Sequence, residues 1–110
     1  MKIISVPLSS EAMKRLDLDE CLPGDLEELQ LSEEHYIQLS QSGLIETINS
    51  SLGKMIDEYE DESIQGTAEL STLLNILYKA SEHIEFDPLE KIIQLNKLAL
   101  QHNTGLFFYF

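Results

Sequence analysis

The densest chemistry in the sequence is a run of carboxylates, with five acids among the six residues 57–62. Carboxylates at this density can attract a divalent cation or the Lys and Arg side chains of a basic protein. They can also face only solvent and keep a small protein soluble. The run reads Asp57, Glu58, Tyr59, Glu60, Asp61 and Glu62. Its composition leaves these interpretations open.

The acidic run closes an apolar stripe whose spacing of three and four residues from Leu44 to Tyr59 predicts a helix. The acids would then lie at the C-terminal end of that helix, where the macrodipole disfavours negative charge. Like-charge pairs one turn apart would add to the penalty, namely Asp57 with Asp61 and Glu58 with Glu62. Unfavourable residues gathered in one place are typical of a surface kept for binding. Tyr59 is either an aromatic anchor for a partner or, as the stripe favours, a core residue.

A second acidic run extends from Asp17 to Glu34, with eight acids and no Lys or Arg. Within it, Ser32 is a good N-cap, and Glu33 and Glu34 suit the first turn of the helix that it begins. We expect this pair to form a weaker second contact patch. The candidate partner-binding residues are therefore Asp57, Glu58, Tyr59, Asp61, Glu62, Glu33 and Glu34.

The remaining reactive residue types do not form a catalytic pattern. Cys21 is flanked by Asp19 and Glu20, which raise a thiol pKa and suppress the thiolate. The three histidines lie far apart without ligand spacing, and the five glycines are too scattered for a phosphate-binding loop. The sequence predicts no catalytic residue and no cofactor. A Glu/His hydrolase assembled by the fold is an alternative that spacing alone leaves open.

An EF-hand fits only in part. Asp17, Asp19 and Glu28 match positions 1, 3 and 12 of the loop, but Cys21 and Leu22 occupy the positions that need an oxygen ligand and a glycine. The sequence therefore predicts no EF-hand. The acids of residues 57–62 could attract a cation, although a built site normally draws ligands from several elements. A small metal-binding protein is thus the alternative to an interaction protein.

The composition of the chain further restricts the classes of partner that it could bind. The chain has 110 residues, a net charge of −13, 43% apolar residues and one cysteine, which together predict a single domain over residues 1–110. A net charge of −12 falls on residues 1–70, and only −1 on residues 71–110. The electrostatic field of this negative charge repels nucleic acid and anionic membranes, so neither is an expected partner. No leader or membrane span is expected either, and the predicted location is the cytoplasm.

Hydrophobic periodicity predicts an α+β fold dominated by about four helices. Strands are expected at residues 2–6 and 106–110, and we expect these two ends of the chain to pair. Shorter signals predict one or two helical turns from Ser10 and a strand at 29–31. The main helices should begin near Ser32, Leu44, Thr67 and Asp87, with a break near Gly43. Thr67 can cap the third of these helices, and Asp87 is expected as an N-cap before Pro88. Asn103 can adopt the positive φ of a helix exit.

Two parts of the sequence carry a resemblance to a functional class. The segments Ser42–Asn49 and Ile56–Ile64, with Gly53 between them, and the ending Asn103–Phe108 resemble small acidic bacterial immunity proteins of the contact-dependent growth-inhibition type. The resemblance implies one-to-one inhibition of a cognate basic toxin, often a nuclease whose cleft is masked by acidic side chains. It implies little about topology.

The sequence therefore predicts an immunity protein or antitoxin, not an enzyme, that acts as a monomer or weak homodimer. A carboxylate-rich surface can compete for a cleft built to hold phosphates. The alternatives are a small acidic metal-binding protein or enzyme, and an acidic adaptor or nucleic-acid mimic with another basic partner.

Overall fold

A four-stranded antiparallel sheet and five helices make up the computed structural model, which describes residues 2–110. The predicted α+β class is confirmed, and half of the chain is helical, with five helices where about four were expected. The elements in chain order are β1 (Lys2–Pro7), α1 (Ser10–Asp17), β2 (Leu26–Leu31), α2 (Glu33–Gln41), α3 (Leu44–Leu52), β3 (Asp61–Gln65), α4 (Thr67–Ser81), α5 (Leu89–His102) and β4 (Gly105–Tyr109).

The two ends of the chain pair at the centre of the sheet. The strand order is β2-β1-β4-β3, and Ile4 of β1 lies opposite Phe108 of β4. Successive side chains of a strand point to opposite faces. Ile4 and Phe108 therefore share the face that packs against the helices, where both are buried. The predicted pairing of the terminal strands is confirmed.

Helices α2 to α5 bury that face of the sheet. Their apolar stripes and the inward residues of the strands form one core cluster, which includes Leu39, Ile48, Leu73 and Leu95. Helix α5 contacts β1, β4 and α4, and it buries residues around most of its circumference, as its sequence predicts. At its exit Asn103 has a φ of 55°, and buried Thr104 donates a hydrogen bond to the carbonyl of Pro7 at 2.7 Å.

The prediction of one helix from Leu44 to Tyr59 is wrong. Helix α3 ends at Leu52, where Gly53 adopts a left-handed conformation with a φ of 65°. The chain then crosses to the sheet, and Asp61–Gln65 pairs with β4 as an edge strand. The acids of residues 57–62 thus lie in a loop and a strand, so they form no like-charge pairs one helical turn apart. Tyr59 is 89% exposed, which contradicts its interpretation as a core residue.

Two helices are capped by residues other than those expected, although α4 begins at Thr67. Asp87 does not cap α5, because Pro88 occupies the N-cap position and no side-chain cap hydrogen bond forms there. Gly66 takes the N-cap position of α4, so Thr67 is the first helical residue. Ser32 is an N-cap as predicted, since its hydroxyl accepts a hydrogen bond from the His35 N–H at 3.0 Å.

Gly105 leaves room for close packing at the start of β4. A Cβ atom there would lie 2.7 Å from Cγ of Gln65 and 3.1 Å from the carbonyl oxygen of Ile64. We expect Gly105→Ala to lower the free energy of unfolding by about 1–3 kcal/mol, because overpacking forces its neighbours to move. Urea denaturation measures the loss. In a Gln65→Ala background the loss should be smaller; an equal loss in both backgrounds would contradict this explanation.

Candidate functional site

The face of the sheet that points away from α2–α5, here called the outer face, carries aromatic and acidic side chains side by side. Its strand register places Tyr109 between Ile3 on β1 and Asp61 on β3. The adjacent row contains Ser5, Phe107 and Ser63 in the same relation. Phe107 and Tyr109 are only half-buried. An aromatic surface beside an acidic edge strand is therefore open to a partner.

A groove on this face joins the two acidic runs. Asp17, at the end of α1, and Asp61, at the start of β3, line one open cavity of about 330 Å³ with aromatic side chains of β4. We call this cavity the outer groove. It is lined by Leu16, Asp17, Asp61, Glu62, Ser63, Phe107 and Tyr109. Carboxylates that are 44 residues apart in the chain thus face a shared space.

The aromatic pair of the outer groove sits in a negative environment. The Phe107 and Tyr109 rings are nearly parallel, at 16°, with centroids 6.5 Å apart. Burial raises the pKa of the Tyr109 hydroxyl, and the nearby carboxylate of Asp61 raises it further, with smaller contributions that include Glu28 and Asp19. The hydroxyl therefore remains a neutral hydrogen-bond donor at physiological pH, and acids of both runs act on the same ring.

The loop from 18 to 25, which brings the first acidic run to this face, is held by one ion pair. Arg15 donates two hydrogen bonds of 2.7 Å to the Asp25 carboxylate, which also accepts the Leu22 N–H at 2.8 Å. These bonds hold the pKa of Asp25 at about 2, below its ordinary 3.8. The pKa of Cys21 on this loop is raised by desolvation, by Asp25 and by Asp19, which agrees with its predicted low reactivity.

A buried lysine organises the end of the sheet. Lys2 Nζ lies 3.0 Å from Glu58 and 3.6 Å from Glu33, although its own side chain is only 7% exposed. It also lies 4.7 Å from the Tyr36 ring centroid and 5.9 Å from that of Tyr59. The structure therefore brings both predicted patches together, but around an internal cation. The hydrogen bond to Glu58 is the main reason that the pKa of Lys2 is raised.

The loop between α3 and β3 is fixed by polar side chains. Asn49 exchanges two hydrogen bonds of 2.9 Å with the backbone of Ile56. Glu62 accepts the N–H groups of Met55 at 3.1 Å and Ser63 at 2.9 Å, and these bonds lower its pKa. Glu62 thus has a structural role that its sequence position did not indicate.

The seven predicted site residues therefore divide into two groups. Glu33, Glu58 and Glu62 are occupied by contacts within the fold. Asp61 and Glu34 are exposed and, within residues 2–110, form no ion pair; the same holds for Asp57, whose carboxylate accepts only the N–H of Glu58 in its own turn. Tyr59 projects into solvent from a left-handed backbone with a φ of 66°. Asp17, Phe107 and Tyr109 were not predicted as site residues.

The excess negative charge is mostly unpaired in the part of the chain that the structure describes. Ion pairs there involve five carboxylates, those of Asp25, Glu27, Glu33, Glu58 and Glu69. The other fifteen of the twenty acids form no ion pair within residues 2–110. Asp17 and Asp61, which line the outer groove, belong to this unpaired set.

Comparison with known proteins yields no match, whether to a family model, to a curated protein or to a solved structure. Function is therefore inferred from the geometry and charge of this chain alone. Among residues 2–110, no group of three or more His, Cys, Asp and Glu side chains is placed to hold a metal ion. Over the same residues, every helix is too short or too polar to span a bilayer.

The depressed pKa of Asp25 predicts a defined acid dependence of stability. Because its carboxyl has a pKa of about 2 when folded and an ordinary value near 3.8, the unfolded chain binds more protons between these values. The stabilisation by Asp25 is therefore present above about pH 4 and is lost as the pH falls towards 2. Asp25→Asn should flatten the rise in unfolding free energy across this window, measured by urea denaturation. Glu85→Gln, at an exposed position, should leave the rise unchanged; equal slopes in the two variants would contradict the assignment.

The Lys2 cluster predicts an energetic coupling. Lys2→Met should lower the free energy of unfolding, because Glu33 and Glu58 then face each other without a cation. Glu58→Gln should be destabilising in the wild-type background and close to neutral in the Lys2→Met background. A double-mutant cycle by urea denaturation measures this difference, with Lys79→Met as the control at an exposed lysine. Additive effects of the two substitutions would show that the ion pair contributes nothing.

Proposed function

We propose that this protein binds a basic protein through its acidic outer face and through the loop between α3 and β3. It thereby inhibits that protein, as an immunity protein or antitoxin inhibits a cognate toxin. The observation that carries the proposal is the meeting of two acidic runs around half-exposed aromatic rings, where neither Asp17 nor Asp61 forms an ion pair within residues 2–110. A nuclease toxin is the favoured class of partner, because its cleft is built to hold phosphates, and carboxylates can occupy it in their place.

Unpaired charge supports binding that is fast and dependent on salt. A surface of one sign steers an oppositely charged protein towards it and raises the association rate well above the value for neutral surfaces. Most of the acids in residues 57–62 and 17–20 belong to the set without ion pairs in residues 2–110. The charge that makes the isolated protein repel nucleic acid is thus the charge that would attract the partner.

Aromatic exposure supports a protein as the partner rather than a small cation. Tyr59 is 89% exposed, and its backbone lies in the left-handed region, which is unfavourable for a residue with a Cβ atom. Tyrosine is enriched among the residues that dominate binding energy in interfaces. A strained and exposed tyrosine between carboxylates fits an anchor residue better than it fits a packing role.

Charge reversal at unpaired carboxylates tests this proposal. The triple variant Asp17→Lys, Asp57→Lys and Asp61→Lys avoids Glu58 and Glu62, whose contacts stabilise the fold. The probe is the product of the reading frame adjacent to this protein's gene, co-expressed in a bacterial host. We expect that product to be basic and to arrest growth, the wild-type chain to restore growth, and the triple variant to associate about 10- to 100-fold more slowly in stopped-flow measurements.

The matched control reverses three exposed acids elsewhere, Glu82, Glu85 and Asp87, and changes the net charge by the same amount. It should associate at close to the wild-type rate, and circular dichroism should show both variants folded. A neighbouring product that does not arrest growth, or that binds both variants equally, would refute the proposal. Binding without growth rescue would instead identify an adaptor for a basic protein.

A further inference from the structure

We propose that the outer groove is the docking site for an arginine side chain of the basic partner, with the guanidinium over the aromatic pair and between Asp17 and Asp61. This inference rests on the proposed function and deepens it, because it assigns the contact to one place on the outer face. Of the seven residues indicated by the sequence, Asp61 and Glu62 line this groove, and the Glu62 carboxylate is already bound to backbone N–H groups.

The geometry of the groove matches a cation on a long side chain. Asp61 lies directly across the strand pair from Tyr109, and Asp17 reaches the same cavity from α1. Within residues 2–110 neither carboxylate forms an ion pair. A volume of about 330 Å³ admits a guanidinium with its methylene stem. The two negative charges therefore have a shared space in which one positive group can sit.

The aromatic pair favours arginine over lysine. A guanidinium is planar, stacks on aromatic rings and binds carboxylates through two parallel hydrogen bonds, whereas an ammonium is compact and strongly hydrated. Phe107 and Tyr109 present nearly parallel rings on the open face of the sheet. Since Asp61 and Tyr109 are cross-strand neighbours, a guanidinium on the ring can reach the carboxylate.

Apolar residues extend the surface on the side of the first acidic run. Leu18 and Leu22 are 64% and 57% exposed on the loop that also carries Asp19. The loop begins directly after Asp17, which lines the groove, and its residues Asp19 and Cys21 contribute to the raised pKa of Tyr109. A segment of a partner that inserts an arginine would thus contact apolar side chains beside it, in the arrangement typical of an interface anchor.

Charge complementarity selects a basic protein rather than a second copy of this chain. In a symmetric dimer built on the outer face, Asp17 and Asp61 would approach the same carboxylates of the other copy. Each copy carries a net charge of −13, so burying these acids against each other would be strongly unfavourable. A basic segment of a partner would instead be attracted to the same acids, because its charge is opposite.

Titration of the full chain with short peptides tests the groove. The probes are acetyl-Gly-Arg-Gly-amide, its lysine analogue and its neutral citrulline analogue, followed by amide chemical shifts in two-dimensional NMR. We expect the arginine peptide to shift the amides of Asp17, Asp61, Phe107 and Tyr109, with an affinity at least threefold that of the lysine peptide. The citrulline peptide should cause no shifts.

Two variants localise the effect. Asp17→Asn with Asp61→Asn should weaken the arginine peptide at least fivefold, whereas Glu82→Gln with Glu85→Gln, an equal charge change at exposed acids, should not. Phe107→Leu keeps apolar area but removes a ring, so it should reduce the preference for arginine over lysine. The amide spectrum of each variant shows whether it is folded.

Three results would overturn the assignment. The first is chemical shift changes spread over every acidic surface, and the second is equal binding of the citrulline and arginine peptides. The third is a dimer in sedimentation, with hydrogen exchange showing protection of the outer-face amides. The inference and the proposed function can fail separately. If the adjacent gene product binds but the arginine peptide does not bind the groove, only the assignment of the arginine site to the groove is wrong. If the groove binds the peptide but the adjacent product is not bound, the inhibitory function is wrong.

Discussion

The pairing of β1 with β4 is the constraint on which the rest of the molecule depends. It joins residues about a hundred positions apart, and it places the two most apolar strands at the centre of the sheet. Because side chains alternate along a strand, Ile4 and Phe108 enter the core, and Ile3 and Tyr109 reach the outer face. Because β3 reaches β1 only through β4, the ion pair between Lys2 and Glu58, just before β3, depends on the same pairing.

Elements with an apolar period could be predicted from the sequence, and elements held by backbone pairing could not. The stripes of α4 and α5 and the apolar terminal strands follow from burial of one face of each element. Strand β3 has a single buried apolar residue, Ile64, between polar ones. An edge strand of this kind forms because β4 offers unpaired backbone N–H and C=O groups. Pairing with these groups does not require an apolar pattern in the sequence of β3. The helix expected there was extrapolated from the stripe of α3 past Gly53, whose left-handed conformation ends it.

The candidate site was predictable in residue type but not in arrangement. The sequence indicates the carboxylates at 57–62 as candidate binding residues. It cannot show that Glu58 is neutralised by Lys2 or that Glu62 binds backbone N–H groups, because both contacts are made only in the folded chain. One signal could have indicated the groove. In the ending Leu106-Phe107-Phe108-Tyr109-Phe110, a strand must place Phe107 and Tyr109 together on the face opposite Phe108. Two aromatics on an outer face are a departure from the polar side chains expected there.

The acids of β3 have two physical explanations, which differ in what they require of their neighbours. Charged residues on an edge strand deter pairing with the edges of other molecules, and for that purpose any exposed acid is sufficient. Protection of an edge does not require half-exposed aromatic rings beside the acid, nor a second carboxylate from α1 facing the same cavity. Exposed apolar surface also works against protection, because it promotes association. The combination at Asp61, Tyr109 and Asp17 is therefore explained better by recognition of a cation than by protection of the edge.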